Sequence, residues 1–127
     1  DVPCTCEGTT RKRKGGRKAG THARFRDTIV QVQKSVLRRA VQLVKPGGAI
    51  VYATCTYAPE ENEAVLSALP EGVVAIEPVT PPAGLRVQPG LTAWAGELFR
   101  PDAVNAVRLW PHHNDTGGFF VAKLRRL

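Results

Sequence analysis

The feature that most limits how this chain can fold is the run Ala49-Ile50-Val51-Tyr52-Ala53-Thr54-Cys55. It carries no charge, is rich in β-branched residues, and is set off by Pro46-Gly47-Gly48 before it and Pro59 after it. A short continuous run of this kind suits a strand of a parallel sheet, covered on both faces. Its neighbours read as helices. From Asp27 to Val44 the polar residues Gln31, Lys34, Ser35, Arg38 and Gln42 share one face at helical period. Ile29, Val32, Val36, Leu37, Ala40 and Leu43 share the other. Asp27 is the predicted N-cap, and Pro46-Gly47-Gly48 ends the helix and turns the chain. Pro59 predicts the first turn of a second helix, with Glu60, Glu61 and Glu63 near its positive end and Val65, Leu66 and Leu69 facing inward.

Further on, Val73 to Glu77 reads as a short strand. Pro78, Pro81, Pro82 and Pro89 make residues 78–101 a long irregular connection, unusual enough in a compact domain to suggest function. Ala106 to Trp110 and Phe119 to Leu124 read as a closing antiparallel pair of strands around Pro111 to Gly118. The predicted fold class is α/β, with helices packed on the faces of a mostly parallel sheet.

With 127 residues, 43% of them apolar, the chain suffices for one modest domain with a continuous core. No apolar stretch approaches the roughly 20 residues that span a bilayer, so no membrane partner is expected. Three cysteines at uneven spacing make a poor disulfide framework, and the opening residues do not read as a signal peptide. The expected compartment is therefore a reducing cytoplasm. Nothing in the sequence fixes an oligomeric state.

The net charge of +7 is uneven. Residues 1–26 hold eight basic side chains against Asp1 and Glu7, whereas the remaining 101 residues hold ten basic and nine acidic ones. Six of the eight, Arg11, Lys12, Arg13, Lys14, Arg17 and Lys18, crowd into one glycine-containing run. Such a segment is a natural contact for a phosphate backbone. On charge alone it reads equally as a solvated loop or a localisation-type stretch.

Two cysteine neighbourhoods bear on chemistry. Cys4 and Cys6 lie in the opening loop, and Cys55 ends the predicted buried strand. Ligand crevices of open α/β sheets lie outside the carboxyl ends of the strands, so Cys55 is placed to react, although a cysteine beside a buried strand is also a common small core residue. Cys4-x-Cys6 is tighter than the usual zinc knuckle, and no metal is expected. Gly47-Gly48 precedes a strand rather than following one, so it is not a phosphate-cradling loop. Gly117-Gly118 reads as a tight turn into the last strand, and His112 as a structural hydrogen-bonding residue or an RNA contact.

Three blocks carry a family likeness. They are Asp1-Val2-Pro3-Cys4 with Glu7-Gly8-Thr9 and Arg11-Lys12, Leu43 through Thr56 with Pro59-Glu60-Glu61-Asn62-Glu63, and Arg108 through His112 with Thr116 through Ala122. In this order they resemble the Nop/Sun (RsmB/RsmF-like) RNA cytosine-5 methyltransferases. The resemblance implies the carboxyl-terminal half of a Rossmann-like class I methyltransferase sheet, with S-adenosylmethionine as methyl donor and RNA as partner, ribosomal RNA first and tRNA second. It implies that Cys55 of the Thr-Cys motif adds to C6 of cytosine and that Cys4 of the Pro-Cys motif assists release. Asp1 then matches the family's aspartate between cofactor and target base. Both thiols need a base that is unpaired or flipped out of its helix.

Cys6 stands where the motif often has Ser or Gly, and no role attaches to it. The family's cofactor-binding half, with its Gly-rich loop, has no counterpart in these residues. With no Met present, the expectation is the carboxyl-terminal portion of a longer parent, inactive alone, with residues 1–26 as a basic active-site loop and 27–127 as helix and strand. The rival readings are a non-catalytic basic RNA-binding module and a DNA cytosine methyltransferase in which the Pro-Cys thiol attacks.

Overall fold

A computed structural model describes residues 1–12 and 19–127, and within them the side chains of 1–9 and 24–127. Helix α1 (Ala19–Leu43) leads to strand β1 (Ala49–Thr54), a 3-10 turn over Pro59–Glu61 and the short helix α2 (Glu63–Ser67). Strand β2 (Val74–Glu77) follows, then β3 (Gln88–Pro89), β4 (Ala93–Trp94), β5 (Glu97–Leu98) and β6 (Val107–Leu109). Helix α3 (Pro111–Asn114) and the long strand β7 (Phe119–Arg126) close the chain. Mixed helix and sheet bears out the α/β class. Among the described residues no helix is long and apolar enough to cross a membrane.

Strand β7 organises the sheet. Its alternate residues Phe120, Ala122 and Leu124 are fully buried, as the two-residue period of a strand with one core face requires. It pairs antiparallel with β1, from Ala49 opposite Arg125 to Thr54 opposite Phe120. It also pairs antiparallel with β2 and β6. The predicted closing pair of β6 and β7 is present, but the mostly parallel sheet is not found: every described strand pair is antiparallel. β1 and β2 do run in the same direction, and β7 returns between them. Buried runs in β1 and β2 therefore look like parallel-sheet strands in sequence, although each is paired to an antiparallel neighbour. Burial of β1 is also uneven: Tyr52, Ala53 and Thr54 are buried, while Val51 is 65% exposed.

Helix α1 departs from expectation in start and facing. It begins at Ala19, so Asp27 lies in the helix interior and is not its N-cap. Within the added turns Arg26 pairs with Glu7 of the opening loop and lies 3.7 Å from Glu61 after β1. The buried stripe is Gln33, Leu37 and Val41 with Val30 against the core, whereas Val32, Val36 and Leu43 are exposed. A hydrophobic count alone turns the helix the wrong way. Gln33 is drawn inside by bonds from its Nε2 to the carbonyl of Pro3 (2.8 Å) and to Glu61 Oε1 (3.2 Å).

The inward residues expected of the second helix, Val65, Leu66 and Leu69, are in the core with Tyr52, Ile76 and Phe120. Glu61 and Glu63 are not dipole-complementing surface acids, however. Both are completely buried. Glu63 accepts from Arg108 Nε (2.6 Å) and from the Leu91 amide (2.9 Å), and Arg108 Nη1 donates to the carbonyl of Tyr57 (2.8 Å). The 78–101 connection is less irregular than its prolines suggest, since it holds β3, β4 and β5, with β3 paired to β6.

Removing one partner of a buried ion pair leaves the other charge uncompensated, at a cost of about 3–5 kcal/mol. Glu63→Ala is expected to lose that much stability in a denaturant titration. A paired Glu63→Leu, Arg108→Met replacement should recover most of it.

Candidate active site

The site is built where β1 ends. Cys55 directly follows Thr54, and the opening segment lies along the same strand: the Val2 amide donates to Ala53 O (3.1 Å) and the Gly8 amide to Cys55 O (2.9 Å). This brings the sulfurs of Cys4 and Cys55 to 3.2 Å. Cys6 Sγ lies 3.6 Å from Cys4 Sγ, and all three thiols are half-buried and free. The two cysteines paired by the sequence reading therefore do meet.

Buried polar side chains hold the two loops together. Glu61 accepts from the Thr5 amide (2.9 Å) and the Thr5 hydroxyl (2.6 Å), clamping the residue after Cys4. Thr54 Oγ1 donates to Asn62 Oδ1 (2.7 Å), and Asn62 Nδ2 donates to Thr56 O (3.1 Å), bracketing Cys55 on both sides. Tyr52 donates its hydroxyl to the Glu61 carbonyl (2.6 Å). Sequence reasoning misses these clamps, because Glu61 reads there as a helix-start acid. The signal available is the compact Glu61-Asn62-Glu63 triplet beside a cysteine-bearing strand end.

A third loop locks onto the first. The Gly118 amide donates to Gly8 O (2.8 Å). A Cβ on Gly8 would sit 2.5 Å from Gly118 O and 2.6 Å from Cys55 O, and one on Gly118 would sit 2.9 Å from Gly8 Cα. Gly118 is thus needed for backbone approach to the cysteine loop, beyond any turn into β7. Cys6 shows the opposite case, a side chain at a left-handed φ of 57°. For a residue other than glycine that conformation costs roughly 1–2 kcal/mol.

Asp1 is exposed and precedes the edge-bonded Val2. Of the basic run, Arg11 and Lys12 belong to a 3-10 turn over Glu7–Lys12, while Arg13, Lys14, Arg17 and Lys18 lie outside the described residues. His112 packs its ring edge-on against His113, with centroids 4.2 Å apart. Tyr57, Trp110, Pro111, His112 and Asp115 line an open hollow of about 490 Å³, with the Tyr57 and Trp110 rings 5.7 Å apart.

Burial raises both Cys4 and Cys55 above the ordinary thiol range. Burial pushes Cys4 up to about 12, and its hydrogen bond with Cys55 adds to the rise. Burial also raises Cys55, but there the Cys4 hydrogen bond acts downward while Cys6 pushes upward. Burial is thus the leading influence on both thiols, and their mutual contact acts upward on Cys4 and downward on Cys55.

Residues 1–125 match the family described as 16S rRNA methyltransferase RsmB/F. The chain belongs to the RsmB/F family. It is 34% identical to the tRNA (cytosine(49)-C(5))-methyltransferase of Pyrococcus abyssi, with 99% of this chain and 40% of that protein covered. It is also 34% identical to ribosomal RNA small subunit methyltransferase F of Aeromonas salmonicida, over 99% of this chain and 25% of that one. A methyltransferase homolog from Pyrococcus horikoshii superposes with a TM-score of 0.78 at 34% identity, covering 98% of this chain and 37% of that chain. The structure described as NSun6 from Pyrococcus horikoshii with SFG gives 0.75 at 27% identity, over 99% of this chain and 28% of that one. The chain therefore spans about a quarter to two-fifths of the length of these relatives. These likenesses bear out the family resemblance and the Rossmann-like fold of the RsmB/F methyltransferases, which use S-adenosylmethionine.

A raised thiol stays protonated at neutral pH and gains reactivity only as the pH climbs. Alkylation of Cys55 by iodoacetamide, followed by peptide mass spectrometry, should keep rising beyond the pH at which free cysteine levels off. Cys4→Ala should move the inflection higher and Cys6→Gly should move it lower, because the two neighbours act on Cys55 with opposite sign.

Proposed function

We propose that this RsmB/F chain carries the thiol chemistry of an RNA cytosine-5 methyltransferase. The observation behind the reading is the 3.2 Å approach of Cys4 and Cys55, two sulfurs on loops 51 residues apart. C5 of cytosine is a poor nucleophile. When the Cys55 thiolate adds to C6, a sulfur–carbon bond forms and C5 becomes an enamine carbon. S-adenosylmethionine, when bound, supplies the electrophilic methyl group. After C5 is alkylated its proton departs to solvent and the carbon–sulfur bond breaks, returning the electron pair to Cys55. Cys4, whose sulfur lies 3.2 Å away, donates a hydrogen bond to that departing sulfur and stabilises it as a thiolate.

Asp1 is assigned to the methyl donor: it is exposed and immediately precedes Val2, whose amide bonds the end of β1. The basic run of Arg11, Lys12, Arg13, Lys14, Arg17 and Lys18 is assigned to the RNA backbone. The Tyr57 and Trp110 hollow offers aromatic faces to bases flanking the target. Ribosomal RNA is the first proposed substrate, consistent with the family description, and tRNA the second, as for the Pyrococcus abyssi relative. The proposed location is the cytoplasm.

In the full-length protein, Cys55→Ala should abolish methyl transfer to RNA, and Cys4→Ala should accumulate a covalent protein–RNA adduct that survives denaturing electrophoresis. Methylation by Cys55→Ala at the normal rate would overturn the assignment. Loss of the adduct in Cys4→Ala would instead make Cys4 the attacking sulfur.

Neutralising the six basic residues should weaken RNA binding across sequences. The slope of log affinity against log salt should fall by about 0.7 for each single-strand phosphate that is no longer neutralised. An unchanged slope would remove this loop from the interface.

A further inference from the structure

The two-thiol scheme uses Cys4 and Cys55 and leaves Cys6 unexplained. Glycine is at home at the left-handed φ of 57° that Cys6 occupies, so the backbone does not ask for a side chain here. The side chain it does carry brings a third sulfur to 3.6 Å from Cys4 Sγ and 3.3 Å from Cys4 O. The sulfurs of Cys4, Cys6 and Cys55 all lie within 4.8 Å of one another.

From this cluster we propose that Cys4, Cys6 and Cys55 form a capture site for a thiolate-preferring d10 cation, Zn(II) foremost, and that its occupation silences methyl transfer. Zn–S bonds of about 2.3 Å in a tetrahedron set sulfurs roughly 3.8 Å apart. The closest two separations, 3.2 and 3.6 Å, need only small outward movements to reach that spacing. Each thiol gives up its proton on binding and becomes a thiolate ligand. Three protein ligands on half-buried side chains leave the fourth position for water, as in open rather than closed zinc sites. The Cys4-x-Cys6 spacing is too tight for a knuckle by itself, and the third ligand comes from 49 residues further along the chain than Cys6.

With Cys55 and Cys4 both ligated, neither sulfur is available to a base. The silencing step rests on the catalytic reading of those two residues, whereas the binding site rests on the sulfur geometry alone. Its two parts are therefore separable by experiment.

Metal-free, reduced full-length protein would be titrated anaerobically with Zn(II) against a chromophoric chelator, with Cd(II) as an ultraviolet probe of thiolate ligation. The expected result is one equivalent bound with a thiolate-to-metal band, and at least a tenfold weaker affinity in Cys6→Gly. Cys6→Gly should unfold at the same or higher denaturant concentration, so a loss of binding cannot be a loss of folding. Equal affinity in the two proteins, or no stoichiometric binding by the reduced wild type, would overturn the site. In the second arm, one equivalent of Zn(II) should stop methyl transfer by the wild type, and a chelator should restore it. Cys6→Gly should need at least tenfold more Zn(II) for the same fractional inhibition, each protein being compared with its own metal-free rate. Bound metal with undiminished methyl transfer would overturn the silencing. Absence of methyl transfer in the metal-free protein would instead sink the catalytic reading, while the titration still decides the metal site.

Discussion

The buried carboxylate of Glu61 is the interaction on which the rest of the site depends. A charge removed from water is tolerated only when donors replace its hydration, and Glu61 recruits them from separate parts of the chain. Thr5 supplies an amide and a hydroxyl from the opening loop, and Gln33 supplies a side-chain amide from the middle of α1. Arg26 approaches from an earlier turn of the same helix. Satisfying one carboxylate therefore fixes the loop of Cys4, the rotation of α1 and the segment after β1 at once.

The two residues after Glu61 extend the same logic. Asn62 bridges Thr54 and Thr56 across Cys55, and Glu63 anchors Arg108, which in turn holds the Tyr57 carbonyl. Polar groups are thus concentrated around the loop that carries Cys55, while apolar packing from Phe120, Leu66 and Leu124 holds the core. The Gly8–Gly118 contact adds a third strap made of backbone, possible only because neither residue carries a Cβ. A rigid frame of this kind keeps two sulfurs close without burying them. The three thiols stay half-exposed.

Much of the fold is legible in the sequence. The β1 run, the inward Val65, Leu66 and Leu69, and the closing pair of β6 and β7 follow from periodicity and from prolines and glycines at element ends. The misreadings share a cause. Asp27 resembles a cap, Val32, Val36 and Leu43 resemble a core face, and Glu61 and Glu63 resemble surface acids when each is judged from its own neighbourhood. The actual settings of the two glutamates are decided by partners 28 to 56 residues away, such as Gln33 and Thr5 for Glu61 and Arg108 for Glu63. Strand direction is hidden for the same reason, since a buried strand has the same composition whichever way its neighbour runs.

By itself the sequence determined the family motifs and their order: a Pro-Cys, then a Thr-Cys, with a basic run beside the first and too few cysteines for a disulfide scaffold. Those facts are local and survive translation into any register. Only the tertiary structure decided that Cys4 and Cys55 touch, that Cys6 joins them, and that the nearby Glu61-Asn62-Glu63 triplet is core. Distances between loops are set by the sheet that carries them and by the hydrogen bonds that a buried charge demands. Neither is encoded at any single position.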